Sequence, residues 1–172
     1  MTTWPPRVRR PLLATHVICS VGWIGAALAY LALGLAARLS DQPGTVQAAW
    51  IGMDLIVWPV LLPLGGLAWL TGILLSLVTH WGLLRHYWVV IALVLTTVAL
   101  VVMVLHLPTV TAAATVARTG DAAAISRLGG DVLHPGAGVA VLIVVAVLNI
   151  YKPRGLTPRG QRHARRPVAV SR

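Results

Sequence analysis

The chain has 172 residues, 58% of them hydrophobic and only 10% charged, and its 14 basic against 4 acidic side chains give a formal net charge of +10. That is the composition of a membrane protein, and it excludes a nucleic-acid partner, because the basic residues stand at the ends of apolar runs instead of alternating with aromatics along one face. A single cysteine, Cys19, excludes a disulfide framework, a CxxC redox pair and a cysteine metal knuckle.

Apolar windows of the ~20 residues needed to cross ~30 Å of hydrocarbon fall at 12–37, 51–79, 87–107 and 132–151. The predicted fold is therefore all-α, an integral membrane four-helix bundle formed by a single domain over 1–151. Eleven Lys and Arg residues, among them Arg7, Arg9, Arg10, Arg85 and Lys152, flank one side, and Arg38, Arg118 and Arg127 flank the other. The bias predicts that both termini are cytoplasmic. With no phenylalanine or glutamate and a single lysine, the composition points to a GC-rich bacterial source and so to a bacterial cytoplasmic membrane.

The first run contains "THVICSVGWIGAALAY", in which His16, Ser20, Trp23, Ala27, Tyr30 and Gly34 step by four and three and so share one side of a helix. The preceding "RVRRPLLA" has the character of a signal-peptide n-region. The apolar run is far longer than an h-region and carries a patterned face, so it reads as a membrane helix. His16 lies well inside the span, where an ionisable side chain is a functional hypothesis by default. With Ser20 and Trp23 it forms a candidate cofactor site, as an axial ligand to haem b or a hydrogen-bond partner of a quinone. Packing against a neighbouring helix is the competing reading. Small residues at Gly22, Gly25, Ala26 and Ala29 suit either the internal seam or a homo-oligomer.

The second run is overlong and carries Pro59 and Pro63, which predict a kink. Its stripe runs through Asp54, Trp58, Leu61, Gly65, Trp69, Gly72, Ser76 and Thr79. In the third run Thr96, Ala99, Met103 and His106 form the stripe, and in the fourth His134, Gly138, Val141 and Val145 do so. His80 and His86 fall in the short connection "HWGLLRH", near water. Pro108 and Pro135 read as helix ends, which places His106 and His134 near the outer interface at a height similar to that of Asp54. Two imidazoles and a carboxylate are donors that zinc or copper accepts, so Asp54, His106 and His134 form a candidate metal site. The connection 108–131 is expected to hold one short helix, capped by Asp121, with Arg127 in its last turn and a glycine stop. The stretch 152–172 is expected to be a disordered basic cytoplasmic tail, suited to topology control or to anionic-lipid contact.

The segments "THVICSVGWIGA", "WGLLRHYWVVIALVLT" and "YKPRGLTPRG" resemble an uncharacterised family of four-span proteins of actinobacterial cytoplasmic membranes, over nearly the whole chain. A first-span histidine followed by a tryptophan and a small residue is more distantly similar to copper-resistance D-type proteins and to the four-helix membrane protoporphyrinogen oxidases. The latter resemblance implies a histidine at His16 and a third-span lysine at the position of Ala92, which cannot ionise. It therefore implies the helix arrangement without that residue pair.

No nucleophile-and-base arrangement, phosphate loop, HExxH motif or paired carboxylates stand in the sequence. The reading is a structural or accessory membrane protein without a demonstrable catalytic site. A haem, metal or quinone binder using His16 is the alternative, and a small oligomeric transporter the third choice.

Overall fold

A computed structural model describes residues 5–79 and 81–164, without the side chains of His163 and Ala164; His80 and the end of the expected tail, 165–172, lie outside the described residues. Among those described there are seven α-helices and one π segment and no strand. In chain order they are α1 (Pro6–Leu39), α2 (Pro43–Ile56), the π segment (Val57–Leu61), α3 (Leu62–Val78), α4 (Tyr87–Thr119), α5 (Ala122–Arg127), α6 (Leu133–Tyr151) and α7 (Pro158–Ala164). Four continuous helices are long and apolar enough to cross a membrane: Pro6–Leu39, Pro43–Val78, Tyr87–Thr119 and Leu133–Tyr151.

Three of these spans hold 33 to 36 residues, about 50 Å at ~1.5 Å per residue, against ~30 Å of hydrocarbon. The surplus of α2 and α4 lies at the end of the bundle away from the termini. There the start of α2, the end of α4 and the short α5 pack into a cap. Gln47 donates to the carbonyl of Ala117 at 2.7 Å across it. Val110, Ala114 and Ala117 of α4 are at most 1% exposed within it.

The cap overturns one expectation. Pro108 does not end its helix but lies inside α4, which continues to Thr119. A proline inside a helix costs about 3 kcal/mol, but stopping at residue 108 would leave Val110, Ala113, Ala114 and Ala117 without the face of α2 that buries them. Burial of that face outweighs the proline. Only 120–132 then connects α4 to α6, and within it α5 forms as expected, with the Asp121 carboxylate accepting from the Ala124 amide at 2.8 Å and Gly129 beyond its end at a φ of +60°.

The kink expected from Pro59 and Pro63 takes the form of a π turn, closed by the Leu62 amide donating to the Val57 carbonyl. Its effect is on register. The buried positions Met53, Val57, Leu61 and Gly65 step by four three times running, a sequence that drifts off one face of a helix with 3.6 residues per turn. The wider turn absorbs that drift. It also turns Trp58, expected on the inner seam, outward to 48% exposure. The first-span stripe does face inward, with Trp23, Ala27, Tyr30 and Gly34 buried.

At the other end, part of the expected disordered tail is ordered. Thr157 donates through its hydroxyl to the Leu84 carbonyl at 2.6 Å and through its amide to the Arg85 carbonyl at 2.9 Å. The Tyr87 amide donates to Gly155, an isolated antiparallel bridge joins His86 to Leu156, and α7 follows. Lys152 closes α6 in the left-handed region, at φ 46°, with its ammonium 5.3 Å from the Trp81 ring centre. Backbone and hydroxyl groups make this attachment, so it leaves no apolar stripe in the sequence.

Candidate functional site: a polar-ended cavity in the bundle

The site is built where the connection from α5 to α6 crosses α1. Gly129 turns the chain, its carbonyl accepts from the Trp50 indole at 2.9 Å, and Gly130 and Asp131 then lie directly on the backbone of α1. Only glycine at position 34 permits this, since a Cβ there would collide with the Asp131 carbonyl, and one at Gly130 would collide with the Gly34 carbonyl. Two glycines on two elements thus fix the height of Asp131.

From that point the Asp131 carboxylate holds two histidines. His106 of α4 donates from Nε2 to one oxygen at 2.7 Å, and His134 in the first turn of α6 donates from Nδ1 to the other at 3.2 Å. Their rings stack with centroids 3.8 Å apart and planes 20° from parallel. The side chains of Asp131 and His106 are mostly buried, while that of His134 is about half exposed, at 46%.

Both imidazoles line a cavity of about 270 Å³ bounded by α1, the π segment, α4 and α6. Nearly all of the remaining lining is apolar, including Trp23, Ala27, Leu61, Met103 and Leu142. Tyr30 is the exception: it is 5% exposed, lines the cavity, and its hydroxyl has no hydrogen-bond partner among the described residues. The exposed members of the lining, Val98, Val102, Leu133, His134 and Ala137, all belong to α4 and α6. The mouth therefore lies between those helices, on a side that faces lipid if they span a bilayer.

His16 lies apart from the cavity and packs on α3. Its Nδ1 is 3.0 Å from the Ala68 carbonyl and 3.1 Å from the Thr71 hydroxyl, which itself donates to Leu67. A carbonyl only accepts, so Nδ1 carries the proton, and the contact is that of a histidine bonded to its neighbouring helix. Ser20 is half-buried on the same face, and of this trio Trp23 alone reaches the cavity. His106 and His134 come together as the height argument expected. Asp54 does not join them: Arg118 donates to it at 2.7 Å and the Thr111 hydroxyl at 3.4 Å, while the Trp58 indole donates to Thr111 at 3.3 Å. The carboxylate between the histidines is Asp131. One signal for it stood in the sequence, since an aspartate three residues before a histidine at a helix start brings the two side chains together.

No family model matches this chain, and no curated protein or solved structure matches it either.

Proposed function

We propose that the protein binds a membrane-dissolved isoprenoid quinone whose head enters the bundle from the side, between α4 and α6. The observation that carries this reading is the buried, unpartnered Tyr30 hydroxyl in an otherwise apolar cavity. An unsatisfied buried hydroxyl costs about 1–3 kcal/mol, and a ligand carbonyl would satisfy it. The size fits a head and not a whole lipid, because about 270 Å³ lies just under the ~300 Å³ lower end of small-molecule sites. The isoprenoid tail would leave through the mouth into the acyl chains. This is the binder reading with its site moved from His16 to Tyr30 and the paired histidines.

Gly138 supplies the test. It lines the cavity, and a Cβ there would meet nothing within 4 Å, so a side chain added at 138 starts in open space and Gly138→Leu is the filling variant. Protein purified from native membranes is expected to carry extractable quinone, Gly138→Leu to lose most of it, and Tyr30→Phe to hold about 5-fold less, the worth of one hydrogen bond of ~1 kcal/mol. Quinone at the level of an empty-micelle control, or unchanged in Gly138→Leu, refutes the proposal. A different amphiphile displaced by Gly138→Leu would retain the cavity as a binding site and refute the quinone.

We also infer that both termini are cytoplasmic, which puts the cap on the periplasmic side. Support comes from the eleven-to-three distribution of Lys and Arg over the two sides. Exposed Arg154, Arg159 and Arg162 near the C-terminal end then face the anionic leaflet. Reporter fusions after Arg172 and within the turn at Gly120 are expected to give cytoplasmic and periplasmic signals respectively. The reverse pattern overturns the orientation.

A further inference from the structure

We propose that His106, Asp131 and His134 form a binding site for a divalent transition-metal ion of the zinc type. The site shares its two histidines with the cavity lining but needs no ligand there. One donor atom from each residue lies within 4.8 Å of the other two. A zinc ion bound at ~2.0–2.1 Å in tetrahedral geometry separates its donors by about 3.4 Å. His106 Nε2 and His134 Nδ1 stand 2.7 and 3.2 Å from different oxygens of Asp131, so a shared ion lengthens these contacts by about 0.2–0.7 Å and spreads the two rings, which stack at 3.8 Å without it.

Protonation also fits. In the hydrogen-bonded state His106 carries its proton on Nε2 and His134 on Nδ1, because a carboxylate accepts. Moving each proton to the other ring nitrogen turns the two inward nitrogens into lone-pair donors, with the imidazoles still neutral. No net proton release is needed. The carboxylate then offsets one of the two positive charges.

Donor chemistry and support narrow the class of ion. Two imidazoles and one carboxylate without thiolate suit zinc, cobalt, nickel or copper(II), and disfavour copper(I) on one side and magnesium or calcium on the other. The site resembles a three-ligand centre that leaves a further position open, as catalytic zinc sites do. Its central ligand is fixed independently of the histidines, since the backbone of Asp131 is held against Gly34. Preorganisation of this kind separates a binding site from a chance meeting of polar side chains.

The test uses the full chain, purified in detergent without an affinity tag and stripped with chelator, titrated with Co²⁺ for its visible ligand-field bands and with Zn²⁺ in competition. One ion per chain is expected, with the intense absorption of four-coordinate cobalt. His134→Gln, at the most exposed of the three positions, and the near-isosteric Asp131→Asn should each weaken binding by more than the roughly 10- to 100-fold that outer-shell partners command. His16→Gln and His86→Gln should leave it unchanged. Metal is read by titration and quinone by extraction from the same wild-type preparations, so the metal site and the quinone site can fail separately. If the wild type shows no saturable one-to-one binding, or His134→Gln and Asp131→Asn bind as it does while their thermal midpoints show them folded, the proposal is overturned.

Discussion

Replacing Gly34 by leucine is expected to lower the stability of the purified protein by at least about 3 kcal/mol, from overpacking and from lost hydrogen bonds. The new side chain meets backbone, the Asp131 carbonyl, and not the flexible end of a neighbour. The connection must lift from α1. That movement strains the bond from Trp50 to Gly129 and draws Asp131 away from His106. Gly34→Ala should show the same sign with a smaller effect, because the first added carbon already collides. Gly25→Ala is the control, since a Cβ at Gly25 has open space around it. The reading is the midpoint of thermal or denaturant unfolding in detergent. A Gly34→Leu midpoint equal to that of the wild type would mean that the connection does not rest on α1 in solution.

Trp50→Ala is expected to cost about 3–5 kcal/mol, the range for removing a large aromatic from a packed interior. Trp50 is 5% exposed and joins the cap to the connection through its indole. Trp50→Phe separates its two roles. It keeps most of the packing, loses the hydrogen bond and should cost about 1 kcal/mol. Trp58, 48% exposed, provides the comparison, and its alanine variant should lose much less. Equal losses for Trp50→Ala and Trp58→Ala would show that the start of α2 does not form the packed cap described above.

Four spans were legible because each is a run of apolar residues long enough to cross a bilayer, a property of local composition. The inward face of α1 was legible for a similar reason, since a regular helix keeps steps of four and three on one side. On the second span the face was legible at Leu61 and Gly65 but not at Trp58, because a π turn shifts the phase there and periodicity assumes a constant twist. Pro108 reads as a terminus because its cost is local, whereas the compensating burial comes from α2, about 60 residues earlier in the chain. Asp54 was set at the height of the histidines by counting from a span start at residue 51, but the helix begins at Pro43. Its partner, Arg118, lies on the part of α4 beyond Pro108, where the sequence alone predicts a connection. Pro135 does mark the start of α6 beside His134, but Pro108 lies inside α4, so the meeting of His106 with His134 does not rest on a helix end at 108; the position of Asp131 depends on a contact between two glycines far apart in sequence.

The short attachment of 152–157 to the α3–α4 connection affects the helix that borders the cavity. The 19-residue α6 is tethered at one end by Thr157 on Leu84 and Arg85, and at the other by the glycine contact beneath Asp131. It behaves as a string fixed at both pegs. Both ends of α6 are thus anchored, so under the quinone proposal entry between α4 and α6 would depend on side-chain rotation along the middle of α6 and not on a swing of the whole helix.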